Sequence, residues 1–108
     1  MTETTDFRVC LVTFPDRETA KMTAVKLVAE KLCACASLMP GVESIYAWQG
    51  KTEISSETLL MIKTQQNCIQ AIDAKIRELH PYEVYEFISL PVIYGNADYL
   101  NWISESTT

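Results

Sequence analysis

Hydrophobic and polar positions at the start of the chain predict a strand followed by a helix. Residues 7–14 are rich in β-branched and aromatic side chains and stop at a proline, which is typical of a strand. Asp16 follows and can cap a helix, because its carboxylate accepts hydrogen bonds from N–H groups of the first turn. Residues 17–34 then carry an apolar stripe at helical spacing, which consists of Ala20, Ala24, Leu27, Val28 and Leu32.

The next two segments predict a long β-hairpin. Residues 35–49 have the pattern of a strand that bends at Pro40-Gly41, since a proline cannot donate to a ladder of hydrogen bonds. Gln49-Gly50-Lys51 is a turn signal, and residues 52–64 are the returning strand. Leu60, Ile62 and Thr64 lie on one face of that strand, and Leu59, Met61 and Lys63 on the other.

The last third of the chain predicts a helix, a strand and a short helix. Residues 65–79 place apolar side chains at helical spacing and end at His80, because the residue before a proline avoids helical angles. Residues 83–93 alternate as in a strand. Residues 97–104 can form a helix that Asn96 caps.

This order of elements predicts an α+β fold of the ferredoxin-like β-α-β-β-α-β type, with a long hairpin and a short C-terminal helix. Two helices cover one face of a four-stranded antiparallel sheet in that arrangement. A different α+β sandwich built from the same elements is the alternative. The 108 residues are enough for one core only. We therefore expect a single domain over 1–108, with an ordered core at about 7–104.

The hairpin is predicted to be longer than the helices that cover it. The first helix would span about 27 Å at 1.5 Å per residue, whereas residues 52–64 would span about 43 Å as a strand. The part that overhangs carries Ile45, Tyr46, Trp48 and Ile54. Large apolar side chains on open strand edges favour pairing with another copy, so we expect a homo-oligomer.

Composition and charge narrow the classes of partner and location. Hydrophobic residues make up 48% of the chain, and the net charge is -5. No basic stripe is present, so we expect no nucleic-acid partner. Neither a signal peptide nor a membrane-spanning stretch is visible, so we expect no membrane partner and a cytoplasmic location. The four cysteines should then be free thiols.

The only histidine, His80, is the first candidate for chemistry. It can act as a metal ligand or a proton carrier with help from a nearby carboxylate, Glu83 or Glu86. The alternative is a histidine at a helix end that faces solvent and the negative end of the helix dipole.

The cysteines and aromatic residues give weaker signals. Cys33 and Cys35 could supply half of a soft-metal site, but buried structural thiols are the preferred interpretation, and Cys10 and Cys68 are expected in the core. Tyr82, Tyr99 and Trp102 can pack an interface or the floor of a pocket.

Motifs of common enzymes are missing from the sequence. It contains neither a glycine-rich phosphate loop nor a G-x-S-x-G elbow, and we expect no catalysis. Acylphosphatase-type chemistry is the enzymatic alternative for this fold. That chemistry requires an arginine-bearing phosphate loop. Pro15-Asp16-Arg17 follows the first strand without such a glycine-rich loop.

Several motifs, in order and at matching spacing, resemble the CutA divalent-cation tolerance proteins over about residues 7–104. They are TFPD at 13–16, LCACA at 32–36, PG at 40–41, SIYAWQGK at 44–51, ETLLMIKT at 57–64, HPYEV at 80–84 and LPV at 90–92, with Gly95, Tyr99, Leu100 and Trp102.

The resemblance implies a cytoplasmic homotrimer whose hairpins extend neighbouring sheets. It also implies a role in tolerance of copper and other divalent cations, with copper or another divalent cation bound and no organic cofactor. His80 is the first candidate metal ligand, followed by Glu83 and Cys10. The trimer is also similar to nitrogen-regulatory signalling trimers, which bind small ligands between subunits. That similarity implies a sensor or scaffold as the alternative function, with Tyr82, Trp102 and Trp48 in the cleft.

The sequence departs from the family pattern at three positions. Val12 stands where some members have a cysteine, and Leu79 where some have a second histidine. A copper site of that type keeps only His80, although Cys10 points to the same strand face as Val12. Tyr85 replaces the usual proline, from which we expect a changed loop or cleft surface.

Overall fold

Four strands and three helices make up the computed structural model, which describes residues 6–108. In chain order they are β1 (Phe7–Phe14), α1 (Arg17–Ala29), β2 (Cys35–Trp48), β3 (Lys51–Gln65), α2 (Ile69–Leu79), β4 (Ile88–Pro91) and α3 (Ala97–Ser106). A 3₁₀ turn at Gln66–Cys68 leads into α2. The predicted ferredoxin-like α+β order is confirmed. No helix in the described part of the chain is long and apolar enough to cross a membrane.

The sheet has the strand order β2-β3-β1-β4, and every neighbouring pair is antiparallel. One of its faces packs against α1 and α2. The main core lies there and is built from alternate residues of the central strands together with the inner faces of both helices. Its largest fully buried members are Val12, Phe14, Leu27, Leu60, Ile62, Ile72 and Ile76.

Helix α1 begins as predicted and ends earlier. The Asp16 carboxylate accepts a hydrogen bond of 2.7 Å from the backbone N–H of Thr19, which caps the first turn. The helix ends at Ala29 instead of residue 34, because Lys31 adopts a left-handed conformation with φ of 59°. Val28, predicted on the buried stripe, is 45% exposed.

The second face of the sheet is only partly covered. Helix α3 packs over one end of it, where Phe7 meets Leu100 and Ile103 in a smaller apolar cluster. Alternation along the strands assigns the rest of this face to a further set of residues, which we call the open face. It consists of Val9, Leu11, Thr13, Cys35, Ser37, Met39, Leu59, Met61, Lys63, Ile88 and Leu90.

The hairpin of β2 and β3 extends well past the rest of the sheet, as predicted. Strand β1 makes its last pair with β3 at Thr58, whereas β2 and β3 continue to pair from Val42–Glu57 to Trp48–Lys51. We call residues 42–57 the ribbon. It contributes to a longest dimension of 49 Å, against 26 and 22 Å for the other two.

Two local irregularities shape the ribbon. A bulge between Met39 and Val42 interrupts the register at Pro40-Gly41, where Gly41 has φ of 78°. At the tip, Gln49 and Gly50 both have positive φ, 50° and 80°, which is the two-residue turn that suits the twist of a hairpin.

Strand β4 is much shorter than its sequence pattern predicts. It covers Ile88–Pro91 instead of 83–93, and it forms an edge of the sheet against β1. The preceding residues, 80–87, run as a loop between the end of α2 and β4. This loop builds the site described next.

Candidate functional site

His80 is a buried residue that fastens this loop to β1. Its side chain is 8% exposed, so the expectation of a solvent-facing histidine at a helix end is wrong. The ring Nε2–H donates a hydrogen bond of 2.7 Å to the carbonyl oxygen of Thr13. Nδ1 accepts one of 3.1 Å from the backbone N–H of Tyr82. Because a carbonyl only accepts, this pattern corresponds to a neutral imidazole with its proton on Nε2.

Aromatic rings enclose His80 on both sides. Phe14 stacks on it with ring centroids 4.5 Å apart, and Tyr85 stacks at 5.2 Å. The Tyr85 hydroxyl donates a hydrogen bond of 2.6 Å to the carboxylate of Asp73 on α2. Burial raises the pKa of Tyr85, and the Asp73 carboxylate adds to that shift. Tyr85 therefore ties the loop to α2.

A cavity of about 760 Å³ opens between this loop and the base of the ribbon. Glu57 lies in its wall and is only 7% exposed. The hydroxyl of Tyr82 donates a hydrogen bond of 3.2 Å to Glu57 Oε2. The residues of its wall that matter most for recognition are Tyr46, Trp48, Glu57, Tyr82, Glu83 and Glu86.

The wall of this cavity is acidic and aromatic. It has three carboxylates, and no lysine, arginine or histidine is among its described lining residues. Burial raises the pKa of Tyr82, and the negative charge of Glu57 raises it further. The phenol therefore stays protonated at neutral pH and continues to donate to Glu57.

The structure brings together some of the predicted site residues and separates others. Tyr82, Trp48 and Glu83 share the cavity. Trp102 lies on α3 beside Tyr99, with ring centroids 5.7 Å apart, and it does not line the cavity. Cys10 is fully buried in the main core. The sequence analysis did not identify Glu57 as a site residue. The signal that could have found it is a glutamate at the point where β3 enters the core.

No ready-made metal centre is found in the described residues of one subunit. No three histidine, cysteine, aspartate or glutamate side chains among them are grouped closely enough to hold an ion. Both ring nitrogens of His80 are also engaged in hydrogen bonds. The assignment of His80, Glu83 and Cys10 as metal ligands stays a prediction, and coordination by His80 would require one of its two hydrogen bonds to break.

The four cysteines are free thiols. Cys10, Cys33 and Cys68 are buried as expected, and burial raises the pKa of Cys33 to about 12. Cys35 is half-buried on the open face, with its sulfur 3.9 Å from Lys63 Nζ. The same ammonium group donates to Ser37 Oγ at 2.6 Å.

Comparison with known proteins identifies the family. The model of the CutA1 divalent ion tolerance proteins matches residues 8–106. The chain belongs to this family. The divalent-cation tolerance protein CutA of Thermus thermophilus is 41% identical over 99 residues, which cover 92% of this chain and 96% of that protein.

Animal and plant relatives are longer. The mouse protein CutA is 47% identical over 96 residues, which cover 89% of this chain and 54% of the mouse protein. The chloroplastic CutA 1 of rice is 41% identical over 92% of this chain and 56% of its own length. The chain thus spans about half the length of these two relatives.

Solved structures of the CutA family have the same fold. CutA1 from Oryza sativa superposes with a TM-score of 0.94 at 40% identity, over 98% of each chain. The Thermus thermophilus protein gives 0.92 at 40% identity, over 94% of this chain and 99% of that one. A CutA from Archaeoglobus fulgidus, described as periplasmic, gives 0.90 at 27% identity, over 93% of this chain and 97% of its own.

Proposed function

We propose that this CutA-family chain is the subunit of a cytoplasmic homotrimer that contributes to tolerance of copper and other divalent cations. It binds these ions without catalysing a reaction. The membership of the family supports the link to divalent cations. The observation that carries the assembly is the open face of the sheet, which one subunit leaves incomplete.

The composition of the open face supports association. Ile88 and Leu90 on β4 are 49% and 45% exposed, and Met39 on β2 is 40% exposed. They flank Leu11 and Met61 of the central strands on the same face. An apolar patch of this kind on a sheet is typical of a protein interface. A second copy would cover it in the way that the two helices cover the other face.

The ribbon supports the same conclusion. Its Ile45, Trp48 and Ile54 are 66%, 54% and 65% exposed. The backbone of β2 also has an unpaired edge, since β3 is its only neighbour among the described strands. Strands with open edges and apolar side chains pair readily with other strands. The geometry thus favours an oligomer, and the family resemblance supplies the number three.

Light scattering of the purified protein at low micromolar concentration tests the assembly. We expect a mass of about three times the 12.2 kDa of one chain. A mass near that of one chain would contradict the trimer, and a stable dimer would contradict the number of subunits.

For the divalent cation, we propose a site that uses residues of more than one subunit. The described residues of a single chain contain no group of three ligands, and a transition-metal site usually needs three or four. Calorimetric titration with Cu(II) should therefore give fewer than one tight site per chain, or weak binding only.

A His80→Gln variant tests the predicted role of His80 in this binding. The glutamine side chain can still donate to the carbonyl of Thr13, so the variant is expected to fold, as circular dichroism would verify. Glu78→Gln is the control, because Glu78 lies on the exposed side of α2 near Lys75. If His80→Gln binds Cu(II) as the parent does, His80 is not a ligand.

The proposed cytoplasmic location is supported by the free cysteines. All four cysteines are unpaired, and free cysteines are typical of reducing compartments. Separation of cell fractions and detection of the chain by antibody tests this location. Recovery from a compartment outside the cytoplasm, as the description of the Archaeoglobus relative implies for that protein, would contradict it.

A second function, a sensor or scaffold for a small ligand, is favoured by the cavity between the ribbon and the loop 80–87. A volume of about 760 Å³ lies within the usual range of about 300–1,000 Å³ for small-molecule sites. In a trimer, the ribbon would bring this cavity next to a neighbouring subunit. Ligand binding there would alter the contact between neighbouring chains.

A further inference from the structure

Glu57 is a buried carboxylate in the wall of the cavity at the base of the ribbon. Its side chain is more than nine-tenths buried, and it forms no ion pair in the described part of the chain. Its one hydrogen bond comes from the hydroxyl of Tyr82 and reaches only Oε2. A buried carboxylate without a cationic partner is unfavourable. Glu57 is also one of the residues that line the cavity, through which a positive charge could reach it.

The aromatic residues around the cavity suit a particular kind of positive charge. Trp48, Tyr46 and Tyr82 lie in its wall, and the faces of tryptophan and tyrosine rings attract cations, which include the quaternary ammonium groups of small ligands. Tyr46 is held in place by a hydrogen bond of 2.9 Å between its hydroxyl and that of Ser55. Tyr82 is held by Glu57 itself. Two of the three rings are therefore fixed before any ligand arrives.

We infer that this cavity binds a small organic cation, with its ammonium group between the Glu57 carboxylate and the rings of Tyr46, Trp48 and Tyr82. Glu83 and Glu86 at the exposed rim would attract the positive charge from solution. This inference rests on the proposed sensor function, for which it names the class of ligand.

A divalent metal ion fits the same wall less well. The described residues offer no group of three metal-binding side chains, and hard divalent cations take six or more oxygen ligands. Aromatic rings supply none of these ligands. Anions are disfavoured by the three carboxylates, and a neutral ligand would leave the charge of Glu57 uncompensated.

The probe that tests the inference is choline, compared with 3,3-dimethylbutan-1-ol. The two molecules have the same shape, and only the first carries a positive charge. Binding is followed by the fluorescence of Trp48 in a Trp102→Phe background, which leaves Trp48 as the only tryptophan of the chain. We expect choline to bind at least about tenfold more tightly than the neutral alcohol, as cation–π and charge pairing predict.

Two matched variants locate the charge that is responsible. Glu57→Gln keeps the shape of the side chain and an oxygen for the Tyr82 hydroxyl, so the loop should stay in place. It should weaken choline binding about tenfold or more and reduce the preference over the alcohol. Glu43→Gln removes the same charge from the opposite face of the ribbon, outside the cavity wall, and it should leave both unchanged.

The outcomes separate this inference from the proposed function. The inference would be overturned if choline and the alcohol bound equally well, or if both variants lost the same affinity for choline. Displacement of choline by one equivalent of Cu(II) per cavity would also overturn it. Light scattering on the same samples reports the assembly independently. A trimer that does not prefer choline refutes the organic cation alone, whereas a monomer refutes the proposed assembly whatever it binds.

Discussion

The two faces of the sheet are built from the same strands, but helices of the chain cover them to different extents. On one face, α1 and α2 bury Cys10, Val12, Leu60 and Ile62 to exposures of 0%. On the other, α3 covers only the end near Phe7, and apolar side chains remain exposed toward β4. One chain covers the first face, whereas it leaves most of the second face open. Alternation along a strand therefore indicates which residues are buried together without indicating which chain buries them.

The largest expected effect tests whether the open face is an interface. Met61→Lys places a charge in the middle of that face, and a buried, unpaired charge costs several kcal/mol. We expect the variant to fold and to elute as a single chain at concentrations where the parent elutes with the mass of the proposed trimer. Met22→Lys is the matched control, because Met22 lies on α1 at 43% exposure. An unchanged mass of Met61→Lys would show that the open face is not an interface.

A second substitution tests the covered face. Ile72 on α2 is fully buried in the main core, and Ile72→Ala should lower the free energy of unfolding by about 2–5 kcal/mol. Urea denaturation at fixed protein concentration measures this loss. Val25→Ala, at a position 59% exposed on α1, should change stability by less than about 0.5 kcal/mol. Similar losses in the two variants would contradict the assignment of the core.

The free energy of unfolding, measured over a series of pH values, also tests the burial of the covered face. Burial raises the pKa of Cys33 from its ordinary value of 9.0 to about 12. A raised pKa keeps the thiol neutral in the folded chain, so the unfolded chain ionises first. The stability that this thiol contributes is present below pH 9 and is lost as pH rises toward 12. Relative to Cys33→Ala, the parent should lose about 1.4 kcal/mol per pH unit in that range. Parallel pH profiles would contradict the burial of Cys33.

The smallest expected effect concerns the tip of the ribbon. Gly50 has φ of 80°, and a Cβ placed there would meet no atom within 4 Å. Gly50→Ala should therefore cost about 1 kcal/mol through backbone strain alone. Lys51→Ala beside it is the control, since Lys51 is an exposed strand residue. A loss well above this value would mean that the tip packs against another chain.

Much of the fold was predictable because its signals are local. The strand at residues 7–14, the cap at Asp16 and the two faces of β3 follow from neighbours in sequence, and the structure has them in place. The ends of elements were harder. Lys31 ends the turn after α1 in a left-handed conformation, which a lysine does not signal. Strand β4 is short because residues 80–87 are held by His80 and Tyr85 instead.

The candidate site was only partly predictable, since its contacts join distant parts of the chain. Tyr82 and Trp48 both line a cavity of the single chain, whereas their placement in a cleft between subunits stays a prediction. The hydrogen bond between Tyr82 and Glu57 spans 25 residues, and that between His80 and Thr13 spans 67. No local sequence pattern predicts either of these hydrogen bonds. Trp102 lies on α3 beside Tyr99, outside this cavity, and its place in a cleft between subunits also stays a prediction.

The ribbon has a consequence for how the protein is made. Among the described residues, the strand segments 42–48 and 51–57 form ladder pairs only with each other, and the hydrogen bond of Glu57 with Tyr82 joins the base of the ribbon to the globular body. Folding of that body therefore depends little on what surrounds the tip of the ribbon. A hairpin forms within about 1–10 μs, whereas assembly of subunits takes milliseconds to minutes and depends on concentration. Before it joins the proposed trimer, a newly synthesised chain would thus expose its ribbon to water. The speed at which it finds sister chains, more than the speed of its own folding, would set how long it is vulnerable to proteases.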